Sequence, residues 1–195
     1  MSVEMERIKE LRAETGVSIG VCKKALETAK GDMDTAREII QKESKAVLNK
    51  KKDRDLGAGV VQSYIHNTNQ IGAMVELLSE TDFVSKNEEF VKLAYNIAMH
   101  ISAMKPQYRS REDIPKNEMD KIRNNFSEEI PKDKPKDIQE KILEGKIDSH
   151  LKEFVLLNQA FIKDETQTIG NMIESAAQKF GERIEIGEYS VYSIK

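Results

Sequence analysis

Between Gly59 and Leu78 the apolar residues drop the three-to-four-residue recurrence that governs the stretches on either side. GVVQSYIH and IGAMVELL are rich in Val, Ile and Tyr, and a short polar turn, Asn67-Thr68-Asn69-Gln70, separates them. Together they predict a β-hairpin. The second run alternates Ile71, Ala73, Val75 and Leu77 on one face, while its other face carries Met74 and Leu78 beside Glu76. Both faces are therefore expected to be partly covered. Phe90, Leu93, Ala94, Ile97, Ala98 and Ile101 follow at i, i+3, i+4, i+7, i+8 and i+11, the stripe of an amphipathic helix, and Pro106 lies beyond its end. A hairpin with a helix laid across it sets an α+β frame, and the rest of the chain has to fit around it.

Ahead of the hairpin the pattern is helical. Met5, Ile8 and Leu11 recur at three-residue steps, and Gly16 after Thr15 is placed to end that helix. Cys22, Ala25, Leu26 and Ala29 form the buried stripe of a second helix. Gly31 closes it, and Asp32 can cap a third, whose inward positions are Ala36, Ile39 and Ile40. Three helices of this length bury little and suit a docking module. Lys50, Lys51, Lys52 and Arg54 then make a basic, apolar-poor connector, read either as a solvated linker or as a contact for an acidic partner surface.

Beyond the hairpin and its helix, Met119, Ile122 and Phe126 give a narrow stripe, PKDKPK a turn, and Ile138, Ile142, Ile147 and Leu151 a second narrow stripe. These predict a helical hairpin arm. Ile169, Ile173, Ala176, Ala177 and Phe180 mark another helix, closed at Gly181. RIEIGEYSVYSIK reads as a terminal strand whose apolar parity slips after Gly187, which predicts a bulge there. The division expected is residues 1–52, a three-helix docking module with its basic linker, and 53–195, an α+β core of about three antiparallel strands packed with helices, with the arm at about 117–157.

Little in this chain points to chemistry of its own. No GxxxxGK[ST] or GxGxxG is present, and His66, His100 and His150 are far apart with no metal-ligand spacing. Cys22 sits on an apolar stripe, where it reads as a small buried hydrophobe rather than a nucleophile. A lone cysteine cannot form an intrachain disulfide, which fits a reducing compartment. Net charge is −3, so no whole-chain basic field points to nucleic acid. No apolar run spans a bilayer and no signal peptide is visible, so the expectation is a cytoplasmic binding protein without cofactor, metal or active site.

SETDFVSKN, Ser79 to Asn87, joins the hairpin to the next helix. Ser85 and Glu88 fit a capping box for that helix. Thr81 and Asp82 can be turn residues, and Phe83 can cover the helix start; composition alone does not say which way its ring points.

Several stretches together resemble one family, bacterial translation elongation factor Ts, in its short form. LRAETGVSIGVCKKALETAKGDMDTAREII is similar to its N-terminal signature, and SETDFVSKN to its TDFV motif. KPKDIQEKILEGKI, LLNQAFIKD and Thr168 to Gly181 resemble its C-terminal core. Gly20 and Val21 stand where the family usually has a methionine and an acid, and Ala160 where it has proline. The resemblance implies a guanine-nucleotide exchange factor for elongation factor Tu, binding it GDP-bound and nucleotide-free, with no nucleic acid and no membrane involved. It implies an N-terminal module like ubiquitin-associated domains, a dimerisation-type core and a possible homodimer. It also implies that Thr81, Asp82, Phe83 and Val84 disturb the partner's Mg²⁺ site, with Phe83 facing outward, and that Leu11, Lys23 and His66 dock on the partner. Without the resemblance, the residues support only a soluble helical adaptor.

Overall fold

The protein's structure, a computed structural model, describes residues 3–50, 53–131 and 135–194. Lys51 and Lys52 of the basic connector, and residues 132–134 of the Pro-rich turn, lie outside the described residues. The chain divides into two units, one made of residues up to Met99 together with those from Asn171, the other running from His100 to Gly170.

The first unit begins with three helices, α1 (Val3–Thr15), α2 (Ile19–Thr28) and α3 (Met33–Lys50). Their cluster contains Ile8, Leu11, Cys22, Ala25, Leu26, Ala29, Ala36 and Ile40, inward positions the periodicity marks, together with Val17, which it does not; Ile39 packs against the cluster only partly buried. Met5 departs from the expectation: it is 44% exposed, because Ile8 and Leu11 already fill the face of α1 that meets the cluster. Gly16 takes a φ of +69°, a left-handed conformation that costs a residue with a Cβ, and its N–H closes α1 on the Arg12 carbonyl at 2.8 Å. Asp32 Oδ1 accepts the Thr35 N–H at 2.7 Å, the expected cap of α3. The three helices fit a ubiquitin-associated-like module. Ser44, buried near the end of α3, hydrogen-bonds Gln178.

Strands β1 (Ala58–Ile65), β2 (Ile71–Ser79) and β5 (Ile184–Ser193) form an antiparallel sheet in the order β1-β2-β5, so the hairpin's second strand is central. Ala73, Val75 and Leu77 are buried on one face, and Tyr64 of β1 meets Tyr95 edge-to-face at 5.7 Å there. Tyr95 belongs to α5 (Glu88–Met104), whose Phe90, Ala94, Ile97, Ala98 and Ile101 are all fully buried. The other face leaves Val61, Ile65, Met74 and Tyr192 exposed. The expected bulge is present: Val75 faces Tyr189 and Leu77 faces Ile186, so β5 sets an extra residue against Glu76. A Cβ on Gly187 would stand 2.5 Å from the Glu76 carboxylate, which accepts the Glu188 N–H at 3.2 Å. Gly187 thus makes room for the glutamate that steadies the bulge. Past it, half-buried Tyr189 and Val191 return to the face of Ile184 and Ile186.

The helix after β2 starts differently from the reading of Ser85 and Glu88 as a capping box. A short helix α4 (Asp82–Ser85) intervenes, and Ser85 is its last residue, with Oγ donating to the Asp82 carbonyl at 3.3 Å. Asn87 caps α5 instead, its Oδ1 accepting the Glu89 N–H at 2.9 Å. Helix α8 (Ile169–Phe180) sets Phe180 edge-to-face on Phe90, centroids 6.0 Å apart.

The second unit contains the expected helical hairpin, α6 (Lys116–Glu128) and α7 (Lys136–Leu151). Its cluster holds Ile122, Leu143, Ile147, Leu151 and Val155. Leu143 replaces Ile138 in the predicted stripe, and Ile138 is 40% exposed near the start of α7. Arg111 and Arg123 both bind Glu144, at 2.9 and 2.6 Å, and hold the carboxyl below its usual range. A second small sheet, β3 (Ala160–Phe161) with β4 (Asp164–Thr168), was not anticipated; DETQT has no apolar alternation to announce it. Among the described residues no helix is long and apolar enough to cross a membrane.

Candidate functional site

The corner after β2 starts from a buried residue. Ser79, the last of β2, is 0% exposed and its Oγ donates to the Thr81 carbonyl at 3.0 Å. Thr81 is extended, at φ −128° and ψ 159°, and precedes the single turn of α4. That turn closes with the Ser85 N–H on the Thr81 carbonyl, the Lys86 N–H on Asp82 and the Asn87 N–H on Val84. Its side chains then diverge. Val84 is buried at 8% exposure, whereas Phe83 is 87% exposed, the most exposed large hydrophobic side chain described. Asp82 pairs with Lys86 at 2.6 Å, and that ammonium holds its carboxyl below the usual aspartate range.

Two carboxylates brace the corner, one just past the end of β2 and one just before β5. Glu182 accepts the Thr81 N–H at 3.0 Å and the Thr81 hydroxyl at 2.5 Å. Glu80 accepts the Arg183 N–H at 2.5 Å and pairs with Arg54 at 2.9 Å. Arg183 Nη1 in turn donates to the Arg54 carbonyl at 2.5 Å. Arg54, read from sequence as part of a connector, is therefore engaged by its own chain. Nothing in the local sequence marks this group, because its members lie near positions 54, 80 and 182.

The remaining expected site residues fall elsewhere. Leu11 is 0% exposed inside the three-helix cluster, so it offers no surface to a partner in this structure and differs in that respect from the docking role expected for it. Lys23 is exposed on α2 and pairs loosely with Glu27 at 3.8 Å. His66 follows β1, and its Nδ1 lies 3.1 Å from the Tyr64 hydroxyl. Because Ala58 pairs with Ser79 and Ile65 with Gly72, His66 stands at the end of the hairpin away from the corner. At about 3.3 Å per strand residue that separation is on the order of 20 Å. His66 and Phe83 do not share one site.

Among the described residues no three His, Cys, Asp or Glu side chains are grouped to hold a metal ion. Cys22 is buried, burial pushes its thiol up from the ordinary value, and its Sγ points at the Val17 carbonyl 3.9 Å away, the setting of an inert structural thiol. His100 is fully buried between polar partners: its Nε2 lies 3.0 Å from Gln159 Oε1, and its Nδ1 accepts the Ile162 N–H at 3.4 Å. Gln159 Nε2 donates to the Glu153 carbonyl at 2.8 Å, which turns its oxygen to the imidazole and places the imidazole proton on Nε2. Burial pulls the His100 pKa down, so this is a neutral structural histidine.

Comparison with known proteins bears on the whole chain. Residues 17–194 match the family described as Elongation factor TS. The chain is 41% identical over 194 residues to Elongation factor Ts of Thermotoga petrophila, covering 100% of this chain and 97% of that protein. It is 40% identical over 195 residues to Elongation factor Ts of Herpetosiphon aurantiacus, covering 100% and 98%. To that of Thermodesulfovibrio yellowstonii it is 41% identical over 194 residues, covering 100% and 97%.

Proposed function

The chain belongs to the elongation factor Ts family, and from this premise we propose that it is a translation elongation factor acting in the cytoplasm as guanine-nucleotide exchange factor for elongation factor Tu. It binds the GDP-bound GTPase, disturbs its Mg²⁺ and phosphate site, and leaves GTP free to bind. The observation that carries this reading is Phe83, an aromatic ring 87% exposed on a braced corner, where the fold gives it almost no burial.

The physical task is to favour the nucleotide-free partner. A GTPase holds nucleotide by backbone cradling of the phosphates and by a bridging Mg²⁺. Mg²⁺ demands near-ideal octahedral geometry, so displacing its ligands or their supports by a fraction of an ångström weakens the whole site. A phenyl ring offers large apolar area with only two torsions to freeze, and the sheet fixes where it stands. Linkage then requires bound nucleotide to weaken the factor's binding by the same ratio that the factor weakens the nucleotide's. No cofactor, nucleic acid or membrane enters this scheme, and the chain needs no active site of its own.

The remaining residues take supporting parts. Asp82 and Thr81 present the ring, and Val84 anchors its turn from beneath. Residues 1–52 dock on the partner through exposed Lys23, with Leu11 shaping that face from inside, while the core of 53–195 applies the corner. His66 contacts the partner at a second point. A homodimer joined through the three-stranded sheet is the further part of the proposal, supported by the apolar residues Val61, Ile65, Met74 and Tyr192 exposed on one face. Light scattering that returns a monomer at micromolar concentration removes it.

The deciding assay is release of fluorescent GDP from elongation factor Tu with and without the full chain. Acceleration that saturates with chain concentration is the expected result. No acceleration at saturating chain overturns the proposal.

A further inference from the structure

An exposed ring has no packing of its own to place it. Phe83 takes its position from the backbone of Thr81 to Ser85, and α4 is one turn long, too short to be stable by itself. Something else must hold the corner. Thr81 precedes α4 in the N-cap position, yet its hydroxyl makes no cap hydrogen bond. It is turned instead to Glu182, which takes both the hydroxyl and the main-chain N–H of Thr81. One carboxylate receiving two donors from a single residue fixes that residue in two directions. Bonds to an ionised acceptor are also stronger than those between neutral groups.

The tie is reciprocal. Glu80 takes the Arg183 N–H while Glu182 takes the Thr81 N–H, so two consecutive residues on each side exchange side chain for main chain. The sheet ladder has just ended at Ser79 opposite Ile184. The two glutamates thus extend β2–β5 pairing beyond the last strand residue, up to the residue before Asp82. Gly181, at a φ of +71°, ends α8 and turns the chain so that Glu182 comes alongside.

We infer that Glu182 is a positioning residue for exchange: it holds the Thr81 backbone so that Phe83 meets its partner in one fixed orientation. This rests on the exchange reading above. A hydrophobic wedge that wanders has to be ordered on binding, whereas a held one arrives ready, so loss of the tie slows the displacement step more than it weakens association.

Exchange is measured with the full chain and its Glu182→Ala, Glu182→Gln and Thr81→Val variants, titrated against elongation factor Tu loaded with fluorescent GDP. Glu182→Ala lowers the maximal release rate roughly five- to tenfold and shifts the half-saturating concentration less than about twofold. Glu182→Gln, which keeps an acceptor oxygen, loses about half as much on a logarithmic scale. In a Phe83→Ala background Glu182→Ala has no further effect, because the residue acts through the ring. A purely structural tie gives the same fold loss in both backgrounds, and that result overturns the inference, as does wild-type behaviour of Glu182→Ala. Should Glu182→Ala melt below the assay temperature, Glu182→Gln and Thr81→Val carry the same comparison. Amide hydrogen exchange across Thr81–Lys86 supplies a readout that needs no partner: it speeds up in Glu182→Ala, and no change there also overturns the inference. If the wild-type chain does not accelerate release at all, the exchange reading has failed, and the amide measurement shows separately whether the tie holds the corner.

Discussion

Phe83 and Phe90 lie seven residues apart, two turns of helix by count, and meet opposite fates. Phe90 is wholly buried against Phe180, while Phe83 stands 87% exposed at the corner. The buried ring is explained by the fold, since hydrophobic burial and an edge-to-face contact are sufficient reason for it. The exposed ring is not. What surrounds the two rings differs in kind as well: Phe90 is placed by apolar neighbours, Phe83 by the Glu182 carboxylate gripping the main chain at Thr81 and by the ladder ending at Ser79. Packing places the buried ring, and polar clasping holds the backbone under the exposed one.

The comparison is easiest to break with the two alanine substitutions. Phe90→Ala should cost about 3–5 kcal/mol of stability, the usual range for emptying a buried phenylalanine site. Thermal or urea melting reads this directly, and a loss below about 1 kcal/mol shows the ring is not a core residue. Phe83→Ala should leave melting within about 0.5 kcal/mol of the parent, as for surface changes generally. It should slow GDP release by about tenfold or more, the scale expected when an aromatic anchor is truncated. The reverse pattern, a melted protein with normal exchange per folded molecule, would place Phe83 in the core.

Acid weakens both regions, and it separates them by window. His100, on the buried face of α5, has its pKa lowered by burial, so the unfolded chain takes up a proton at higher pH than the native one does. The stability it contributes is complete above the ordinary imidazole value of about 6.5 and is lost as pH falls through that value towards the folded one. The corner has no such response there, because the Asp82 carboxyl is held below the ordinary aspartate range and titrates only in stronger acid. Melting temperature is therefore expected to drop between about pH 7 and pH 5 while the Asp82–Lys86 pair stays intact. His100→Asn should flatten that slope; a slope unchanged by the substitution assigns it to other groups. The smallest effect is expected from Lys86→Ala. It should move the Asp82 carboxyl back up towards its ordinary value, seen by NMR titration, with no measurable change in melting, since both groups are exposed.

Periodicity carried most of the fold. The stripes of α2, α3, α5 and α8, the hairpin and the bulge at Gly187 were all readable, because each follows from which residues must leave water. Ser85 was misread because three good capping residues, Thr81, Ser85 and Asn87, crowd seven positions, and local preference cannot say which of them the chain uses. The strands Ala160–Phe161 and Asp164–Thr168 escaped for want of apolar alternation. At the corner, TDFV could be recognised as a motif, but the outward turn of Phe83 is a tertiary fact. Glu182 and Arg183, which bind Thr81 and Glu80, lie about a hundred residues downstream, where no local rule reaches them.

That distance has a kinetic side. Strand β2 gains its first neighbour at once, through the short connection 66–70, but its second neighbour, β5, is synthesised after more than a hundred intervening residues. At bacterial elongation speeds of roughly 5–20 residues per second, the central strand waits some 5–20 s with one edge open. Non-local pairings of this kind form late in folding, and an open edge in the interval invites pairing with the wrong strand. The corner that carries Phe83 is set only after that wait, when Ile184 and Glu182 arrive beside Ser79 and Thr81. On the exchange reading, a nascent chain has no finished corner to present until β5 has been made and zipped into place.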